Sequence, residues 1–245
     1  MTRIFNIALL IAISCVSSAV YAGEAMQGQT QHNHNNNSFS GMYMGITMGS
    51  VKAKDSYIES THPGGALTNY TYDGAERSSL QGILFGVNTQ YLSALGLVLG
   101  AEAYLENRDT EINELDRLAG TPDARFSTIT KSKYSGTLSA RIGYPISPKM
   151  LIYSSLGRTF TSMERIYLNE EGAGVVDNRN TDLYGYTKAF GMEYMISDSM
   201  NARIEHSKTD YHDDFYLSSA FSSAFAQKGV GVQDESLKIS LIFEF

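Results

Sequence analysis

From residue 39 to the last residue, apolar and polar side chains change places at every position in eight separate stretches. A period of two is the mark of an extended strand with unlike faces, because successive side chains leave it on opposite sides. The stretches cover 39–50, 80–91, 95–106, 134–146, one that begins at Met150, 183–196, 200–211 and 237–245. In 80–91, Ile83, Phe85, Val87 and Tyr91 share one face, and Gly82, Gly86, Asn88 and Gln90 share the other. In 237–245, Leu237, Ile239, Leu241, Phe243 and Phe245 stand opposite Lys238, Ser240, Ile242 and Glu244. The alternation of the fifth stretch weakens after Leu156, which leaves its upper half undefined.

The connections sort by length. Short turns at Ser93-Ala94, Ser147-Pro148-Lys149 and Ser197-Asp198-Ser199 follow the second, fourth and sixth stretches, and long polar segments at 51–79, 107–133, 163–182 and 212–236 follow the others. An antiparallel barrel that crosses a membrane has this pattern, with tight turns on one side and long loops on the other. A soluble sandwich or lipocalin-type barrel shows the same alternation with its apolar face turned inward. Two features favour the membrane barrel. One face collects Gly, Ser, Thr and charges of both signs at mid-strand, which suits a narrow filled lumen. The other carries Leu, Ile and Phe with tyrosines near the strand ends, which suits a lipid belt. A barrel strand needs only about 9–11 residues, so the lack of a long apolar run is no obstacle. The expected fold is all-β: an eight-stranded antiparallel transmembrane up-and-down β-barrel over 39–245.

The first 22 residues read as a signal peptide, with Arg3, an apolar run over 4–16 and the small-x-small site Val20-Tyr21-Ala22. A lipoprotein cleavage before Cys15 competes with this reading, but Ala12-Ile13-Ser14 fits such sites poorly. Residues 23–38 are a polar lead-in without the means to build a core. Cys15 is the single cysteine, so the chain beyond residue 22 has neither disulfide nor thiolate chemistry. The net charge of −7 grows more negative once Arg3 is removed, which excludes nucleic acid as a partner. His32 and His34 offer two imidazoles with no third ligand near them in sequence, so no metal and no cofactor is expected.

Two hairpins carry a more specific signal. SARIGYPISPKMLIYSSLG (139–157) and GMEYMISDSMNARIEH (191–206) resemble strand pairs of the OmpA transmembrane domain and its eight-stranded relatives. The resemblance covers the barrel alone and brings no counterpart of that family's peptidoglycan-binding domain. By position it implies an interior network of Glu102, Arg141, Glu193 and Arg203; a fifth family position, basic there, is Ser155 in this chain. Glu205 and Lys238 face inward by alternation and extend the network. The C-terminal strand, with Phe243 and Phe245, resembles the signal read by the barrel-assembly machinery. The implied location is the outer membrane, in contact with its lipid, after secretion through the inner membrane.

An eight-stranded barrel is only wide enough for side chains to fill, so the expected lumen has no open pore and its charges are structural. The segment 212–236 carries Phe215, Tyr216, Leu217, Phe221 and Phe225 where water is expected. Exposed apolar side chains of this kind mark binding surfaces. With Tyr57, Tyr70 and Tyr72 they form a candidate surface for a host or envelope ligand; the competing reading has them pack on neighbouring loops or prolong the strands. The function that follows is a structural outer-membrane barrel mediating adhesion or surface interaction. Its alternatives are a lipid-modifying or proteolytic outer-membrane enzyme and a low-conductance ion channel. His212-Asp213-Asp214 matches the residue types of outer-membrane proteases, which are ten-stranded. His206-Ser207 matches those of lipid A deacylases, but neighbours on a strand point to opposite faces.

Overall fold

The computed structural model describes residues 39–60, 67–91, 96–118, 121–169, 174–212, 216–217 and 226–245. Eight long strands form one sheet: β1 (Gly41–Ser60), β2 (Leu67–Tyr91), β3 (Leu97–Leu118), β4 (Thr121–Ser147), β5 (Met150–Asn169), β6 (Gly174–Ser197), β7 (Met200–Tyr211) and β9 (Ala226–Glu244). A two-residue strand, β8 (Tyr216–Leu217), adds to β9. Each long strand pairs antiparallel with the next, and β9 returns to β1 to close a barrel. Closure matters because an open edge in hydrocarbon leaves N–H and C=O groups unpaired at several kcal/mol each.

The register fixes the dimensions of the wall. From Tyr43 the cross-strand partners run through Gly86, Glu102, Ser139, Gly157, Thr187, Thr209 and Asp234, and arrive back on β1 at Ala53, ten residues further along. A ten-residue stagger over eight strands tilts them by about 40° and sets a wall radius of about 8 Å. Side chains fill a cylinder of that width.

Which side chains fill it follows from the alternation. Met44, Ile46, Met48, Leu138, Ile142, Leu156, Phe190, Ile204, Leu237 and Ile239 point outward and are exposed. Thr47, Glu102, Ser139, Arg141, Glu193, Arg203, Lys238 and Ser240 point inward and are buried. The outward residues form an apolar belt with Tyr144, Tyr194 and Phe243 at its lower end, on the side of the two-residue turns Pro148-Lys149 and Asp198-Ser199. At the foot of the barrel Phe39, Val98 and Leu151 close the lumen with an apolar cluster.

Three of the four segments expected as long loops are mostly strand. β1 continues to Ser60 and β2 resumes at Leu67; β3 reaches Leu118 before β4 starts at Thr121; β5 reaches Asn169 before β6 starts at Gly174. The fifth stretch, undefined after Leu156, is strand throughout. Only β7 stops near the belt, at Tyr211, and of 212–236 the part from Ala226 onward belongs to β9. β4, at 27 residues, is far longer than a bilayer requires, so the wall stands roughly 30 Å above the belt.

A change in what the barrel faces accounts for the difference. Above the belt the outside meets water, and the alternation reverses: Lys52, Lys54, Asp109 and Glu111 lie outside, while Ala53, Ile112, Met163, Tyr167, Leu183, Tyr211 and Val232 form a buried cluster inside. The period of two persists while its apolar phase shifts by one residue. The signal peptide, the polar lead-in with His32 and His34, and the turn at Ser93-Ala94 lie outside the described residues.

Candidate functional site

The lumen holds the chemistry. Glu102 on β3, Arg141 on β4, Glu193 on β6 and Arg203 on β7 meet at its centre in a closed ring of alternating charge. Arg141 lies 2.9 Å from Glu102 and 3.1 Å from Glu193; Arg203 lies 2.6 Å from Glu102 and 2.9 Å from Glu193. Two cations and two anions cancel, and each charge has two partners, which is what a desolvated ion requires. Asn201 Nδ2 donates to Glu193 at 2.9 Å, and the Tyr43 hydroxyl donates to Glu102.

Aromatic rings floor this cluster. The Arg141 guanidinium lies 4.0 Å from the centre of the Tyr153 ring, and that of Arg203 lies 5.1 Å from it. These rings need bare wall beneath them: a methyl group at Gly86 or Gly191 would overlap the Tyr43 or Tyr153 ring.

A second tier continues upward. Lys238 on β9 bridges Glu205 and Glu106, each at 3.0 Å. Glu205 accepts hydrogen bonds from the Tyr153 hydroxyl at 2.7 Å and the Tyr104 hydroxyl at 3.1 Å, and Tyr104 in turn accepts from Arg203 at 2.9 Å, so the tiers are joined. Arg108 then links Glu106, at 3.3 Å, to Asp234, which accepts from the Tyr211 hydroxyl at 2.8 Å. Above these, Arg165 grips Asp55 at 2.5 Å, and Thr130 donates to Asp55 at 2.6 Å. Between tiers the wall is lined with hydroxyls in cross-strand contact: Thr137 with Thr159 at 2.7 Å, Thr159 with Thr187, and Thr187 with Thr209 at 2.8 Å.

The structure therefore places Glu102, Arg141, Glu193, Arg203, Glu205 and Lys238 in one connected network, with Ser155 buried nearby on the wall. The sequence reading did not include Tyr43, Tyr153, Asn201, Glu106, Arg108, Asp234, Asp55 or Arg165. A signal for the last three was present, since Asp55, Arg165 and Asp234 keep the inward parity of Thr47, Ser155 and Lys238. Polar residues on both faces of their segments mask that parity.

Outside the wall, His206 is exposed and lies 3.0 Å from Glu235, whereas Ser207 is buried and bonded to Ser236 at 2.7 Å. The hydrogen bond from His206 holds the Glu235 carboxyl below the usual range. His206 and Ser207 thus share no face. His212 is exposed, with its ring edge-on to Tyr186; Asp213, Asp214, Phe215, Phe221 and Phe225 lie outside the described residues, as do the side chains of Tyr216 and Leu217. Phe243 and Phe245 face outward at the foot of β9, 41% and 71% exposed.

Over 208 residues the chain is 24% identical to the 31 kDa outer-membrane immunogenic protein of Brucella melitensis, with 84% of each chain covered. Among solved structures it is similar to the attachment invasion locus protein Ail of Yersinia pestis, with 9% identity and a TM-score of 0.43 over 84% of this chain and 99% of that one. It is similar also to the outer membrane protease OmpT of Escherichia coli, with 10% identity and a TM-score of 0.46 over 88% and 99%. The model of the outer membrane protein beta-barrel domain matches residues 8–233, and the chain belongs to that family of outer-membrane barrels.

Proposed function

We propose that the protein is a structural, non-enzymatic component of the outer membrane, whose sealed barrel carries an extended wall and surface loops for adhesion or surface interaction. The observation that carries this reading is the filling of the lumen. Apolar side chains lie at the foot, paired charges fill the middle, and above them an apolar cluster shares the lumen with the Asp55–Arg165 pair. Among the described residues the ionised side chains that fill this interior are paired with one another, which leaves none free to hold a substrate.

What remains for interaction is the part beyond the belt. β7 ends at Tyr211 while its neighbours β6 and β9 run on to Gly174 and Ala226, so the strand that precedes segment 213–225 stops low on the wall. Its apolar residues Phe215, Phe221 and Phe225 suit a surface that binds a host or envelope ligand. A relative named as an outer-membrane immunogenic protein accords with loops turned toward the outside. We assign Phe243 and Phe245 to recognition by the assembly machinery.

Replacement of 213–225 by a short Gly-Ser linker tests the reading. The variant is expected to keep the heat-dependent gel shift of a folded barrel while cells displaying it lose attachment to surfaces that the unaltered protein binds. Unchanged attachment would remove this segment from the function.

A further inference from the structure

The outer surface carries a feature that neither the sealed lumen nor the loops explain. At the upper edge of the apolar belt, Lys188 on β6 and Lys208 on β7 are cross-strand partners, and both point outward and are exposed. Like charges directly opposite one another destabilise a sheet. Arg158 on β5 joins them: it pairs in register with Tyr186, two residues from Lys188 on the same face, and its guanidinium lies 4.4 Å from the centre of the Tyr186 ring. Cross-strand and diagonal spacings put the three roots within about 5–8 Å of their neighbours.

Carboxylates near this group are few. Lys208 has Asp210 at 3.6 Å, with both side chains about half exposed. Glu235, its partner in register, is taken by His206. Among the described residues, Arg158 and Lys188 form no ion pair. Directly below lie Leu156 and Phe190, 65% and 59% exposed and part of the belt. The cluster is local to one flank, because at the same edge β2 and β3 present Gln81 and Asn107, cross-strand partners that are exposed and uncharged.

We infer that Arg158, Lys188 and Lys208 form a binding site for a phosphate-bearing lipid headgroup in the leaflet on the side of the extended wall. The occupant follows from position and charge. Three cations, two of them without an ion pair among the described residues and the third with a half-exposed one, stand where the apolar belt ends, which is the depth of a lipid's phosphate, and apolar side chains continue beneath them for its acyl chains. Lysines at this depth extend toward the interface from apolar surroundings, and an arginine fork matches two phosphate oxygens at once. A phosphate between Lys188 and Lys208 would relieve the repulsion that their register imposes.

The test uses the full chain, folded in a zwitterionic detergent and verified by its heat-dependent gel shift, with binding read by native mass spectrometry. The probes are short-chain phosphatidic acid, phosphatidylcholine of the same chain length, and sodium phosphate. The unaltered barrel is expected to prefer phosphatidic acid over phosphatidylcholine, and over free phosphate, by about tenfold or more. R158Q/K188Q/K208Q should lose that preference, and Lys188→Glu alone should weaken phosphatidic acid binding by about tenfold. The control K52Q/K54Q/R77Q removes three charges from the β1–β2 wall and should bind within about twofold of the unaltered protein. Unchanged binding by both site variants, an equal loss in the control, or free phosphate binding as tightly as the lipid would each overturn the assignment.

Discussion

Among the described residues Arg203 is the largest side chain that the barrel buries, and it touches both acids of the central ring. Removing it leaves Glu102 and Glu193 to share Arg141, an uncompensated negative charge in a place water does not reach. Breaking a buried pair by losing one partner costs about 3–5 kcal/mol. Arg203→Ala is therefore expected to lower the barrel's unfolding free energy by about that amount, measured by urea titration in lipid vesicles. Glu102→Ala alone should do the same with the opposite sign of stranded charge. The two together leave Arg141 and Glu193 as a neutral pair, so the double variant should fall short of the summed losses by about 1–3 kcal/mol. Strict additivity would show that the contact carries no energy of its own. At this scale much of the ring was legible, because a charged residue at mid-strand on the small-residue face has no place other than the lumen. The tyrosines were harder to assign. Tyr43 and Tyr153 enter the lumen while Tyr144 and Tyr194 lie in the outer belt, and the type of residue does not separate them; the glycines opposite the inner pair, Gly86 and Gly191, do.

Strands could be read from the sequence only as far as the membrane reached. Inside the belt, contrast between faces is high because one side must satisfy hydrocarbon and the other a polar lumen. Above it both faces lose contrast: on β3, Asn107, Asp109 and Glu111 lie outside while Arg108, Thr110 and Ile112 lie inside. Polar residues on both sides look like loop, and the apolar phase that does survive has moved by one position. The upper barrel thus depends on different interactions from the lower one. Its apolar cluster and the Asp55–Arg165 pair fasten β1, β4 and β5 together without lipid around them. Local opening should start there, since segments surrounded by water open at lower free energy than those held by a bilayer. Arg165→Ala is expected to speed amide exchange at residues 53–55, 128–130 and 163–167 by on the order of tenfold. Amides at belt level, such as 44–47 and 139–142, should exchange as before. A uniform acceleration along all three strands would mean that the barrel opens as one unit, with no separate upper section.

For the molecule as a whole, the stagger of ten residues over eight strands decides whether anything passes through. A wall of about 8 Å radius leaves an interior that side chains fill, and at three levels they are expected to oppose a passing ion by different means. The foot carries the apolar cluster of Phe39, Val98 and Leu151, beside which an ion would lose part of its hydration without replacement. The central ring is neutral, with every charge doubly paired, and offers a passing ion no unbalanced site. Beside Asp55, Arg108 and Asp234 a void of about 10 Å³ admits roughly one water, far less than a continuous file. In a planar bilayer the protein is expected to give no discrete conductance steps at either polarity. The informative comparison is with Glu102→Gln and Arg141→Gln. Both unbalance the ring while leaving the apolar foot intact, so they too should stay silent if the tiers block independently. Steps in the unaltered protein that vanish in either variant would make the ring a gate, and the interior would then be a pathway with paired charges as its closed state.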